Sequence, residues 1–333
     1  MTDLDLAADA GGRAVPPSAD VPVRSVAMPV VVAVAVLVVA LVGWLTTPEF
    51  VTYSNFQSII RSAALIGIIA ETMTFITIGG SYFSLSVSQT AAMSAITFAA
   101  FLSWGWPVWA SVGAVFAIAA AVGLAQGGAV ALGGNPIVVT LAAGAVLFGS
   151  GAWLTDNKTV RSGTDTADWI GTARPLGIPT QTWAFLIITG ISAVVLVRTR
   201  FGRAVTLVGA NRAAATAAGL RPGRISLYVF AVSSLGAALA GVFIAAQFGQ
   251  GQLDQFDGAD IDAIAAILVG GAAIQGGEGS ATRTAIGAVF IAALQNLMVL
   301  RGFSFGVRVF LVGMTILISV SLFTVIRTRR QLA

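Results

Sequence analysis

Long apolar runs, each near the length that crosses a bilayer, alternate along this chain with short polar breaks. A helix rises 1.5 Å per residue, so about 20 apolar residues cover the roughly 30 Å hydrocarbon layer. On that criterion the pattern predicts spans near 27–46, 59–78, 85–103, 108–131, 136–154, 182–198, 225–247, 260–275, 284–300 and 305–326. The third is diluted by serines, and the eighth is interrupted by acids and glycines. The fold class is therefore an all-α polytopic membrane protein of about ten transmembrane helices. The division is a polar tail (1–25), a transmembrane domain (26–327) with a basic loop (199–224), and a short C-terminal tail (328–333).

One polar island breaks the apolar pattern. Arg198 to Arg224 holds six arginines in 27 residues, in a chain that is only 10% charged. Lys and Arg collect on the cytoplasmic side of membrane spans, so the island is expected there. Its centre, Asn211 to Gly219, is rich in alanine and predicts a short helix outside the bilayer. A helix held out in this way is a docking surface for a soluble partner; the alternative is a basic loop that only sets topology. With ten crossings and the N-terminus inside, the cytoplasmic segments hold twelve of the 18 basic residues and the other side or span ends hold six. Both termini are expected to be cytoplasmic, and the long loop 156–181 external.

Composition then removes whole classes of chemistry. The chain is 57% hydrophobic with mean hydropathy +0.91, as expected of a multi-spanning protein. The net charge of +4 lies in arginines that flank apolar runs, which is topology, so nucleic acid is not an expected partner. Without Cys or His there is no thiolate chemistry, no Cys-ligated metal and no imidazole base. Lys158 is the only lysine, and Leu154-Thr155-Asp156-Asn157 before it is not a phosphate-binding Gly-rich loop. No cofactor, metal or catalytic role is expected. Residues 1–25, rich in Asp, Ala, Gly and Pro, read as a disordered tail and not as a cleaved signal peptide.

Several residues inside the apolar runs stand out. Glu71 lies in the second span with no evident basic partner; an ionisable group there faces the bundle or a watery cavity. It reads as a pathway or gate residue, or as a buried carboxyl held by a backbone or hydroxyl group. Gln126, Gln295 and Asn296 suit hydrogen bonds between helices. Tyr82 and Phe83 suit stacking on a sugar ring, or anchoring at the membrane interface. Gly123 and Gly127 match GxxxG, read as general close packing ahead of a dimer face. In 260–279, Asp260 and Asp262 open an apolar run that Gly270-Gly271 and Gly276-Gly277 interrupt. That pattern predicts either a broken or re-entrant passage at the glycine pairs or a capped helix followed by a turn.

Three motifs carry a family resemblance. They are Asn135-Pro136-Ile137-Val138-Val139-Thr140-Leu141; Phe201-Gly202-Arg203 with Gly209-Ala210-Asn211, Ala214-Ala215 and Ala218-Gly219-Leu220; and Asp262-Ala263-Ile264-Ala265-Ala266 with its two glycine pairs and Gly279. In this order, and over nearly everything after residue 27, the chain resembles the permease subunits of bacterial ABC importers of the ribose and simple-sugar type. The resemblance implies two permease subunits per pore (a second copy or a related permease), two cytoplasmic ABC ATPase subunits and an external solute-binding protein, in the bacterial inner membrane. It also implies that Asn211–Leu220 is the coupling helix on the ATPase, which assigns Gly209, Asn211, Ala214, Ala215, Ala218, Gly219 and Leu220 to coupling. One segment departs from the pattern. The family has Gly-Gly-Ile-Asp-Leu-Ser-Val-Gly-Ser between its second and third spans. Here Gly79-Gly80-Ser81-Tyr82-Phe83-Ser84-Leu85-Ser86-Val87-Ser88 puts Ser84 at the Asp position and Ser88 at the last Gly, with two residues inserted.

The expected function is to form the translocation path for a small polar solute, most readily a monosaccharide, with ATP hydrolysed on a separate subunit. Candidate path residues are Glu71, Phe83, Ser84, Asn135 and Asp262. Two alternatives are a branched-chain amino-acid permease of the same superfamily and a secondary transporter coupled to protons or sodium. The secondary transporter calls for several intramembrane acids.

Overall fold

A computed structural model describes residues 27–331; the predicted tail 1–25 and residues 332–333 lie outside them. The helices are α1 (Ala27–Thr46), α2 (Tyr53–Ile78), α3 (Val87–Ser103), α4 (Val108–Ala131), α5 (Pro136–Thr155), α6 (Asp168–Thr172), α7 (Thr180–Arg198), α8 (Arg200–Ala210), α9 (Arg212–Ala217), α10 (Pro222–Phe248), α11 (Ala259–Val269), α12 (Ala281–Leu300) and α13 (Phe305–Gln331). Among the described residues the only sheet is β1 (Val160–Arg161) paired antiparallel with β2 (Gln250–Gly251). The protein is an all-α polytopic membrane protein. Among the described residues six helices, α2, α4, α5, α7, α10 and α12, are long and apolar enough to cross a membrane. Shorter apolar stretches at Leu37–Thr46, Val87–Ser103 and Phe305–Ser321 accompany them.

Local chemistry fixes the helix starts. Thr52 caps α2 by accepting the Asn55 N–H at 3.3 Å, and Asn135 caps α5 by accepting from Ile137 and Val138. Pro136 and Pro222 open α5 and α10, where a missing N–H costs nothing. Helix α2 begins six residues before the predicted span, because its first turns are polar. Asn55 there exchanges two side-chain hydrogen bonds with Asn296 of α12, at 2.9 and 2.8 Å.

Helices α2 and α10 form the centre. The former packs on α7, α10, α11 and α12, and the latter on α2, α3 and α4. Glycine makes the α4–α10 approach possible: a Cβ on Gly123 would lie 2.6 Å from the Phe230 carbonyl oxygen, and one on Gly127 would lie 2.7 Å from Leu227 Cα. The GxxxG pair is thus consumed inside the subunit, as close packing.

Two ends of the bundle are distinct. At one, the island helix α8 lies against the end of α2, with α9 beside α8 and α10: Val205 and Val208 of α8 are buried, and Val205 shares a core cluster with Phe75, Ile76 and Ile78. At the other, the predicted loop 156–181 is an ordered cap. Gln181 donates to the Gly171 carbonyl at 2.6 Å, Trp169 meets Trp109 with ring centroids 5.6 Å apart, and β1 pairs with β2.

The predicted eighth span, 260–275, is where sequence and structure differ most. Helix α11 stops at Val269 and is followed by a glycine-rich loop through 280. Eleven residues rise about 16 Å, roughly half the hydrocarbon layer. The glycine pairs form turns (Gly271, Gly276 and Gly277 have φ of +78°, +92° and +78°) that end the passage and do not break it midway. A further irregular stretch lies before the acids, at 252–258, after β2.

Candidate translocation path and docking helix

The docking element is built from caps. In α8, Thr199 accepts the Gly202 N–H at 3.1 Å; Gly202, Val205 and Val208 face the protein while Arg203 and Leu207 face outward. Asn211 then starts α9 by accepting the Ala214 N–H at 2.9 Å. At the far end the Ala218 and Gly219 N–H groups bond Ala214 and Thr216, and the Leu220 N–H bonds the Ala215 carbonyl at 3.0 Å. Gly219, at φ +82°, supplies the left-handed residue that this closure needs. So Asn211, Ala214, Ala218, Gly219 and Leu220 shape the helix. Within α9 only Ala215 is buried; Arg212, Ala213, Ala214, Thr216 and Ala217 are exposed. Gly209 behaves differently, packed against backbone. The sequence foresaw α9 but not α8, whose signal is the spacing of Gly202, Val205 and Val208 against exposed arginine.

A second constellation runs through the bundle where α3 and α11 begin. From Gly80 the chain does not turn straight into α3; residues Ser81 to Ser86 run on without helix, with Ser81, Ser84 and Ser86 buried. Tyr82 holds φ +57°, a left-handed conformation uncommon for a bulky residue, and its side chain is exposed. Ser84 Oγ lies 3.1 Å from Ser86 Oγ, and Ser86 donates to Gln126 Oε1 of α4 at 3.0 Å. Leu85 N–H donates to Thr140 Oγ1 of α5 at 3.1 Å. Two residues beyond Ser86, Ser88 Oγ accepts the Asp260 N–H at 2.9 Å, which joins the start of α11 to α3. Asp262 accepts from Gln295 of α12 at 2.5 Å. Non-helical backbone at membrane depth persists only inside protein or along a water-filled cavity. This seam of hydroxyls, amides and the Asp262 carboxylate meets that condition, and Gln126 Nε2 is buried with no partner among the described residues.

The five candidate path residues separate accordingly. Ser84 and Asp262 sit on this seam, and Phe83, half-buried, packs on the core beside it. Glu71 does not join it. It is fully buried in α2 and takes a 3.4 Å hydrogen bond from Thr189 of α7, while Oε2 has no partner among the described residues. Asn135 is exposed, and its side chain is spent capping α5. Sequence reading gave Gln126 and Gln295 hydrogen bonds between helices, which they make here, but missed Ser86 and Thr140 as members of the seam; lone hydroxyls carry no spacing that announces a partner on another helix. Among the described residues no group of acids could hold a metal ion.

Comparison with known proteins places the chain. The family described as branched-chain amino acid transport system / permease component matches residues 55–320. The chain is 31% identical over 292 residues to the ribose import permease protein RbsC of Escherichia coli (strain K12), covering 86% of this chain and 91% of that protein. It is 30% identical over 300 residues to the probable ABC transporter permease protein YphD of the same strain, covering 90% of each. With the L-arabinose transport system permease protein AraH of that strain it shares 27% identity over 252 residues, 75% of this chain and 76% of the other. No solved structure matches.

Proposed function

The chain belongs to the permease components of the branched-chain amino acid transport system family, and from that premise we propose that it is the membrane-spanning subunit of an ATP-driven sugar importer. The observation that carries the coupling is α9: a short helix, capped at both ends, exposed, and set in the arginine island. Cytoplasmic ABC ATPases grip α9, and an external binding protein delivers the solute at the opposite end. A second copy or a related permease completes the pore. ATP-driven closure moves α9, and the rigid bundle converts that motion into alternating access along the polar seam. Hydroxyl and amide groups such as Ser84, Ser86 and Gln126 match the hydrogen-bonding needs of a sugar better than they match an apolar side chain.

The test is Gly219→Glu. A Cβ at Gly219 meets nothing within 4 Å, so the fold loses little beyond the left-handed penalty of about 1 kcal/mol. The variant is expected to insert and bind solute-loaded binding protein, but to lose ATP-driven uptake. Normal uptake overturns the docking role.

The family's description favours a second cargo, branched-chain amino acids. Titrating the binding protein encoded beside this chain with ribose, arabinose, leucine and valine separates the two. An ion-coupled transporter has only Glu71 as a fully buried acid among the described residues. Uptake that persists in vesicles lacking any ATPase, and collapses with the ion gradient, is what that alternative requires.

A further inference from the structure

At the island end three glycines from distant parts of the chain meet with no side chain between them. Gly80 closes the turn after α2 at φ +75°, Gly209 lies in the last turn of α8, and Gly276 lies in the loop between α11 and α12. A Cβ on Gly276 would stand 2.6 Å from Gly80 Cα and 3.0 Å from the Gly209 carbonyl oxygen. One on Gly80 would stand 3.0 Å from Gly209 Cα, and one on Gly209 would strike the Ile78 carbonyl oxygen. Gly277 N–H donates to that same Ile78 carbonyl at 2.8 Å, pinning the α11–α12 loop to the end of α2. Three backbones therefore touch directly.

Contacts between side chains absorb small displacements by changing rotamer; contacts between backbones have no such slack. Gly209 stands two residues before Asn211, which starts α9. Gly80 leads straight into the Ser81–Ser86 segment, and the Gly276 loop is continuous with α11. We infer that Gly80, Gly209 and Gly276 are positioning residues for transport, delivering displacement of α9 to the Ser81–Ser86 segment and to α11 at once. This rests on α9 being the helix that docks the ATPase. It adds that the route runs through a side-chain-free junction and not through α10, which follows α9 in the chain.

The comparison that tests it is Gly276→Ala against Gly302→Ala. Both glycines have positive φ, +92° and +71°, but a Cβ at Gly302 meets nothing within 4 Å. The two variants share the backbone penalty and differ in the contact. Each is reconstituted in liposomes with its ATPase and binding protein, and solute taken up per ATP hydrolysed is measured. In Gly276→Ala that ratio should fall by about tenfold, within the range that mutations along coupled networks reach. ATPase co-purification and hydrolysis should persist, and Gly302→Ala should keep the wild-type ratio. An unchanged ratio in Gly276→Ala overturns the junction. Normal uptake in Gly219→Glu bears only on docking, so the two failures are distinct. Should Gly276→Ala fail to insert, spin labels decide. The chain has no native cysteine, so Arg212→Cys with Tyr82→Cys and Arg212→Cys with Trp104→Cys can be labelled cleanly. On ATP binding the first distance should hold while the second changes; a change in the first overturns the junction.

Discussion

Replacing Asn211 by alanine isolates the part of docking that depends on a preformed α9. The side chain accepts one hydrogen bond, from Ala214 N–H at 2.9 Å, and is otherwise exposed. Removing an N-cap of this type costs about 1 kcal/mol. Since 1.4 kcal/mol is a factor of ten, that is about fivefold in the ratio of helix to coil. A six-residue helix has little to offset the loss, because a single turn is unfavourable to nucleate and only Ala215 is buried. If the ATPase binds only the helical form, its apparent affinity falls with that population, so about fivefold is the ceiling. Serine at the same position keeps a capping oxygen. Titrating labelled ATPase onto the permease in nanodiscs should show Asn211→Ala weakened by up to about fivefold and Asn211→Ser close to wild type. Equal affinities for the two variants refute the cap argument. A loss far above fivefold in both would mean that Asn211 itself touches the ATPase.

Three further outcomes follow from the interior. Glu71→Gln should leave uptake ATP-driven and change unfolding free energy by no more than about 1 kcal/mol, since the amide still serves Thr189; loss of uptake on this change alone contradicts a merely structural carboxyl. Ser86→Ala leaves both ends of the buried Gln126 amide unsatisfied and should cost about 1–3 kcal/mol, read as a lower denaturation midpoint in detergent. No shift there means that Gln126 finds another partner. A double-mutant cycle on Asn55 and Asn296 should give a coupling of about 1 kcal/mol, and none if water replaces the reciprocal pair.

What the sequence made legible and what it hid divide along physical lines. Spans α4, α5, α7, α10 and α12 were placed within three residues because apolar length is a local property. The island helix α9 was also local: alanines between an asparagine and a glycine. The α11 passage was left open between a broken span and a helix followed by a turn, and its length was over-read, because Gly270-Gly271 and Gly276-Gly277 look alike as text whether they line a cavity or make a turn. Only the third dimension shows Gly276 against Gly80 and Gly209. The same holds for Ser86 with Gln126, 40 residues apart, and Asp262 with Gln295, 33 apart. Glu71 was correctly read as facing the bundle, but its partner Thr189 lies 118 residues away. Asn135 drew a path role from a motif, although its amide is spent starting α5.

The central claim is that the arginine island faces the compartment that holds ATP. The chain has no native cysteine, and Arg221 is exposed. A single Arg221→Cys can therefore be probed with a membrane-impermeant thiol reagent in right-side-out and inverted vesicles. Labelling confined to inverted vesicles is the predicted result; labelling in right-side-out vesicles would contradict the account.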